Sequence, residues 1–153
     1  MSRLKFLTKY AVDGVHYDAG AEIDKALNGN VSERMSAIEH PKATVEHIDR
    51  VLNDDSEYVR RIAICHPKVT SEHISKALND DSGFVRKVAI CHPKVTSEHI
   101  SKALNMTGEK WDGVRRIAIC HPNATSEHIS KALNDDSGLV RSAAELIKKE
   151  RNL

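Results

Sequence analysis

Nine histidines and three cysteines in 153 residues are a dense supply of metal-ligating and nucleophilic side chains. Imidazole and thiolate bind zinc at about 2.0–2.3 Å, and a thiol beside an imidazole is how a cysteine nucleophile is activated. Eight of the histidines form two columns, His40, His66, His92, His121 and His47, His73, His99, His128. The cysteines form a third, Cys65, Cys91 and Cys120, each directly before a His-Pro. This regularity weighs against both chemistries. Equivalent residues of adjacent stacked helices stand about 8–10 Å apart, too far for one column to close around an ion. Closure would need a Cys-His pair and a histidine of another helix to converge, and no spacing compels that. Three equivalent copies of a catalytic cysteine would be odd, no glycine-rich phosphate loop appears, and Ser and Thr fall mostly at helix caps. The expectation is a non-enzymatic chain with no catalytic residue, cofactor or metal; metal binding by the Cys and His columns stays as an alternative. On the plainer reading each cysteine is a small buried filler, its column continuing as Leu146, and each His-Pro histidine offers a ring N–H to free carbonyls at a helix end.

The elements carrying these columns are set by an internal repeat. His-Pro recurs at 40, 66, 92 and 121, spacings of 26, 26 and 29, and HPKVTSEHISKALN stands unchanged at 66–79 and 92–105. Periods of this size mark stacked repeat architectures. A weaker copy at 23–41 pairs Arg34 with Arg86 and His40 with His92. The units are 14–39, 40–65, 66–91, 92–120 and 121–147, with residues 1–13 as an N-terminal cap and 148–153 as a polar tail covering the other end.

Each unit reads as two short helices. Thr70 is an N-cap, with Val69 and Ile74 placed as a hydrophobic staple. The first helix then sets Ile74, Ala77 and Leu78 on one face. Glu72 and Lys76 stand i, i+4 on the other side, as do Glu46–Arg50, Glu98–Lys102 and Glu127–Lys131. Asp81 or Ser82 caps the second helix, whose core face holds Val85, Val88 and Ala89, and Pro93 stops it. Neither helix exceeds about three turns, so stability must come from neighbouring units.

The progression H-P-x-[AV]-T-x-E-x-[IL], then [AV]-L-x-D-D, then V-R-x-x-[AV]-A resembles the leucine-rich repeat variant and, more loosely, HEAT-like repeats over residues 21–147. The near-identical units are also similar in style to repeat proteins of bacteriophage genomes. The resemblance implies an all-α, right-handed α-solenoid of about five two-helix repeats. The iron–sulfur segment of some variant-family members does not carry over, because no cysteine precedes Cys65. The family shares a shape rather than an activity.

Charge narrows the partner. Basic and acidic residues number 23 and 22, a net charge of +1, so attraction must come from sorting charges onto faces. No stretch reaches the roughly 18 apolar residues of a membrane span, the N-terminus lacks a secretory pattern, and an odd cysteine count fits a reducing cytoplasm, bacterial or host. Arg34, Arg60, Arg86, Arg115 and Arg141 share a helical position between core residues and are expected to pair with aspartates such as Asp80 and Asp81, of the same or the next unit. The next column, Met35, Arg61, Lys87, Arg116 and Ser142, points outward and is basic in the middle units. The repeat breaks only at 106–113, expected to be a loop, which brings Lys110 and the single tryptophan, Trp111. Trp111 either binds or folds back over the gap that the longer segment makes.

The expected partner site is therefore Arg61, Lys87, Arg116, Lys110 and Trp111, presented to an acidic protein surface. A nucleic-acid backbone on the same basic column is the alternative.

Overall fold

The structure, a computed structural model, describes residues 18–153 apart from the side chain of Glu109. The expected cap at residues 1–13 lies outside them. The described residues are all-α, with ten helices and no strand. They are α1 (Ala19–Ala26), α2 (Val31–Ile38), α3 (Val45–Val51), α4 (Glu57–Ile64), α5 (Ser71–Ala77), α6 (Gly83–Ile90), α7 (Ser97–Leu104), α8 (Glu109–Cys120), α9 (Ser126–Ala132) and α10 (Gly138–Glu150). No helix among them is long and apolar enough to cross a membrane.

The chain divides into two compact units, one ending at Val69 and the other spanning Thr70–Leu153. In the first, α2 packs on α1 and α4, and α3 packs on α4. In the second, α6, α8 and α10 lie side by side, while α7 packs on α8 and α9 on α10. The cores are built from small aliphatic residues in register: Val59, Ala63 and Ile64 in one unit and Val85, Ala89, Ile90, Ala118 and Ile119 in the other are all fully buried. Helices of seven or eight residues do not hold alone; burying each Ile contributes about 1.5–3 kcal/mol toward holding them. Val88, expected in the core, is only half-buried, because it sits at the edge of the stripe that Val85, Ala89 and Ile90 define.

Each first helix from α3 onward begins at a threonine N-cap, and the histidine three residues later closes a capping box. The His73 N–H donates to Thr70 Oγ1 at 3.3 Å, and the Thr70 N–H donates to His73 Nδ1 at 3.0 Å. Histidine thus takes the place that Glu holds in the common form of this motif. Among the second helices, Ser82 caps α6 by accepting from the Phe84 N–H, whereas Ser56 and Ser137 stand at the same position without a side-chain capping bond.

Three further expectations change. The segment 106–113 is not all loop: α7 ends at Leu104 and α8 begins at Glu109, so the inserted residues add a helical turn. Gly108, the N-cap, has φ 95°, a conformation that disfavours any side chain. The i, i+4 pairs on the first helices are not among the ion pairs of the described residues. Three of their basic members reach the preceding repeat instead, Arg50 to Asn28 and Asp24, Lys102 to the Ser75 carbonyl and Lys131 to Asn105. A fixed acceptor on a packed neighbour is met at less entropic cost than a second mobile side chain. Finally, the tail is partly helical, α10 running through Lys148, Lys149 and Glu150, and Arg151 donates to the carbonyls of Ala124 and His121 at 2.6 and 3.2 Å.

Candidate partner-binding face

The side chains that looked chemical are occupied by the fold. His40, His66, His92 and His121 each accept, at Nδ1, the backbone N–H two residues ahead, at 3.1 Å. At Nδ1 these rings accept where donation to free carbonyls was expected, because the Pro-x turn aims an N–H back at the ring; His66 also hydrogen-bonds the His40 backbone, a contact of the expected kind. His47, His73, His99 and His128 accept at Nδ1 in their capping boxes. All eight therefore carry an unprotonated Nδ1, which leaves any ring proton on Nε2. The Nε2 of His99 faces the Ser71 carbonyl at 3.0 Å and Ser75 Oγ at 3.1 Å, and that of His128 faces Ser101 Oγ at 2.8 Å. Burial lowers the affinity of His40, His66, His92 and His128 for a second proton, with Lys42 and Lys94 adding repulsion at His40 and His92. Thr-x-x-His recurs four times in the sequence, so this role had a readable signal.

The cysteines are not buried filler. Cys65, Cys91 and Cys120 are all exposed, because they fall at the ends of α4, α6 and α8, one position beyond the buried Ile64, Ile90 and Ile119. No three His, Cys, Asp or Glu side chains among the described residues converge as a metal ion would need.

The two arginine columns separate as their wheel positions demand. The inner column is structural. Arg34 Nε donates to Asp54 Oδ2 at 2.7 Å and Nη2 to Asp54 Oδ1 at 3.0 Å, and Arg115 makes the same fork to Asp135 with both bonds at 2.8 Å. In each case the next aspartate, Asp55 or Asp136, adds a third bond at 2.8 Å. Arg141 donates to the carbonyls of Asp135 and Asp136.

The outer column faces solvent. Lys87 and Arg116 are exposed, and Arg61 is half-exposed with its guanidinium 5.7 Å from the Tyr58 ring centre. Lys87 leans over Gly113 of the adjacent α8, where an added Cβ would stand 3.0 Å from Lys87 Cε. Around these cations lie large apolar residues, Tyr58, Phe84, Leu139 and Leu146, all 55–65% exposed; Leu146, expected to continue a buried cysteine column, is thus on the surface like the cysteines. They recur at i−3 and i+4 of the outer column, so Phe84, Lys87 and Cys91 share one face of α6 and Leu139, Ser142 and Leu146 the same face of α10. The signal in the sequence was the recurrence of Tyr58, Phe84 and Leu139 three residues before the outer column.

Lys110 and Trp111 sit in the first turn of α8 rather than on a loop. Trp111 is half-buried, with the Arg86 guanidinium 4.1 Å from its ring centre and Lys110 Nζ at 5.3 Å. The structure thus brings Lys110 and Trp111 to Arg86, an inner-column residue, and not to Arg116. Alongside this segment a groove of about 400 Å³ is lined by Met106, Thr107, Arg115, Lys131 and Asp135.

Comparison with known protein families, curated proteins and solved structures finds no match to this chain.

Proposed function

We propose that this chain is a non-enzymatic protein-interaction scaffold. Its helix pairs stack as an α-solenoid of the leucine-rich-repeat-variant or HEAT-like kind, and the outward face of the second helices holds an acidic partner. The observation that carries this reading is the composition of that face in the Thr70–Leu153 unit. Phe84, Leu139 and Leu146 are each about 60% or more exposed, with the exposed cations Lys87 and Arg116 among the same helices. A solvated face requires polar residues; recurring large apolar ones on it mark a surface that a protein covers. Cations beside them supply attraction for carboxylates and set orientation. In the other unit Tyr58 and Arg61 repeat the combination.

Affinity purification from the native host, followed by mass spectrometry, identifies the partner. The variant Arg61→Glu/Lys87→Glu/Arg116→Glu should retain its helical circular dichroism and lose that partner at least tenfold. Unchanged capture by the folded variant overturns the reading. A partner recovered as nucleic acid, with binding that weakens steeply as salt rises, transfers the basic column to phosphate recognition.

A further inference from the structure

The third repeat lacks a part that the first and the fourth have. Arg34, Arg86 and Arg115 hold the same position, and Arg34 and Arg115 each meet a carboxylate of the following repeat along the Nε/Nη2 edge. The residues that supply it are Asp54-Asp55 and Asp135-Asp136, each preceded by an asparagine. After Asn105 the chain instead reads Met106-Thr107, where the insertion begins. Among the described residues Arg86 therefore has no carboxylate partner. Its Nη1 donates to the carbonyls of Asp80 and Asp81 at 2.7 and 2.8 Å, and its Nη2 to the Lys110 carbonyl at 3.2 Å. Its Nε is buried with no hydrogen-bond partner, in a residue only 5% exposed. The Trp111 ring, which the inserted turn provides, lies against the guanidinium.

A buried N–H without an acceptor costs free energy, and two sister sites show which group satisfies it. We propose that the Nε/Nη2 edge of Arg86 binds a carboxylate from an Asp or Glu side chain of the partner, with Trp111 as the cover that moves to admit it. The incoming oxygens take the places that the Asp54 and Asp135 carboxylate oxygens fill on Arg34 and Arg115, and the weak Lys110 carbonyl contact is released. This site rests on the acidic-partner reading above but not on the outer face, and an anchor of this kind fixes the register of the partner along the repeats.

The chain has one tryptophan, so its emission reports on this site alone. The probe is an octaglutamate peptide without tryptophan, followed in parallel by the anisotropy of a fluorescein-labelled copy. The wild-type protein should show a saturable change in Trp111 emission that coincides with binding. Met106→Asp/Thr107→Asp, which restores the Asn-Asp-Asp run, should raise the melting temperature, weaken the peptide at least tenfold and remove the emission change. Arg86→Lys, which keeps the charge but loses the fork, should weaken the peptide similarly. Equal binding by the wild type and both variants overturns the Arg86 site and leaves the outer face standing. Loss in these variants with unchanged binding by Lys87→Glu/Arg116→Glu overturns the outer face and keeps the Arg86 site. An equal emission change with acetate at matched carboxylate concentration assigns the edge to free anions and overturns a partner side chain as its ligand. No binding to the wild type overturns both.

Discussion

Arg115 and Asp135 form a forked ion pair, Nε to Oδ2 and Nη2 to Oδ1, with side chains only 2% and 8% exposed. The pair ties α8 to the turn before α10, and Asp135 Oδ1 also accepts the Ser137 N–H at 2.8 Å. Removing one partner leaves the other charge buried, which is far costlier than losing a surface pair. Asp135→Ala is therefore expected to destabilise the protein by about 3 kcal/mol. Asp54→Ala should cost less, because Arg34 is 17% exposed and water can reach it. Urea denaturation of the two variants checks the order, and a larger loss from Asp54→Ala would contradict it.

The histidines make stability depend on pH near neutrality. Burial holds the second protonation of His40, His66, His92 and His128 below the ordinary value. Below it the unfolded chain binds more protons than the folded one, so their contribution is complete above about pH 6.5 and falls away as pH drops through the folded values. A second, lower loss comes from Asp54 and Asp135. Burial pushes these carboxyls up, but the hydrogen bonds from Arg34 and Arg115 and from the serine N–H groups outweigh it, and both end below the usual range. Their contribution stands above about pH 4 and is lost beneath it. Melting temperatures measured from pH 8 to pH 3 should fall in two steps, and a flat profile between pH 7 and 5 would exclude the histidine step.

Capping by Thr and His can be tested at a single repeat. Thr70→Ala removes the oxygen that accepts from His73 and should cost about 1 kcal/mol. His128→Ala leaves the Thr125 N–H without its ring acceptor, a loss of about 1–3 kcal/mol. His128→Glu supplies the acceptor usual at that place, so it should be more stable than His128→Ala in urea denaturation. Equal stability of the two would remove the capping role.

Thiol exposure gives a direct count. Native protein treated with a disulfide reagent at pH 8 should release three equivalents without denaturant, since Cys65, Cys91 and Cys120 are all exposed. Cys91 should react slowest, because burial of part of its sulfur, and then the nearby Cys120, raise its pKa. Fewer than three equivalents would place a cysteine in the core.

Much of this molecule was legible in the chain itself. The apolar spacing foretold an all-α chain, and it placed Val85 and Ala89 in the buried face, while Val88 lies at its edge and Ile90 inside it. The same periodicity separated inner arginines from outer ones, because a helix fixes direction locally. What the sequence left open concerned partners, and partners are set by which backbone and side-chain atoms the packing delivers. A ring nitrogen donates or accepts according to the N–H that a turn happens to aim at it, so the His-Pro histidines proved to be acceptors. A cysteine one residue beyond a buried Ile is inside or outside according to where the helix ends. Arg86 and Arg115 are the same residue at the same repeat position, each followed by Lys or Arg. That Arg115 is followed by Asn-Asp-Asp and Arg86 by Asn-Met-Thr can be read in the chain; only the packing of α8 decided that Trp111 covers Arg86 instead.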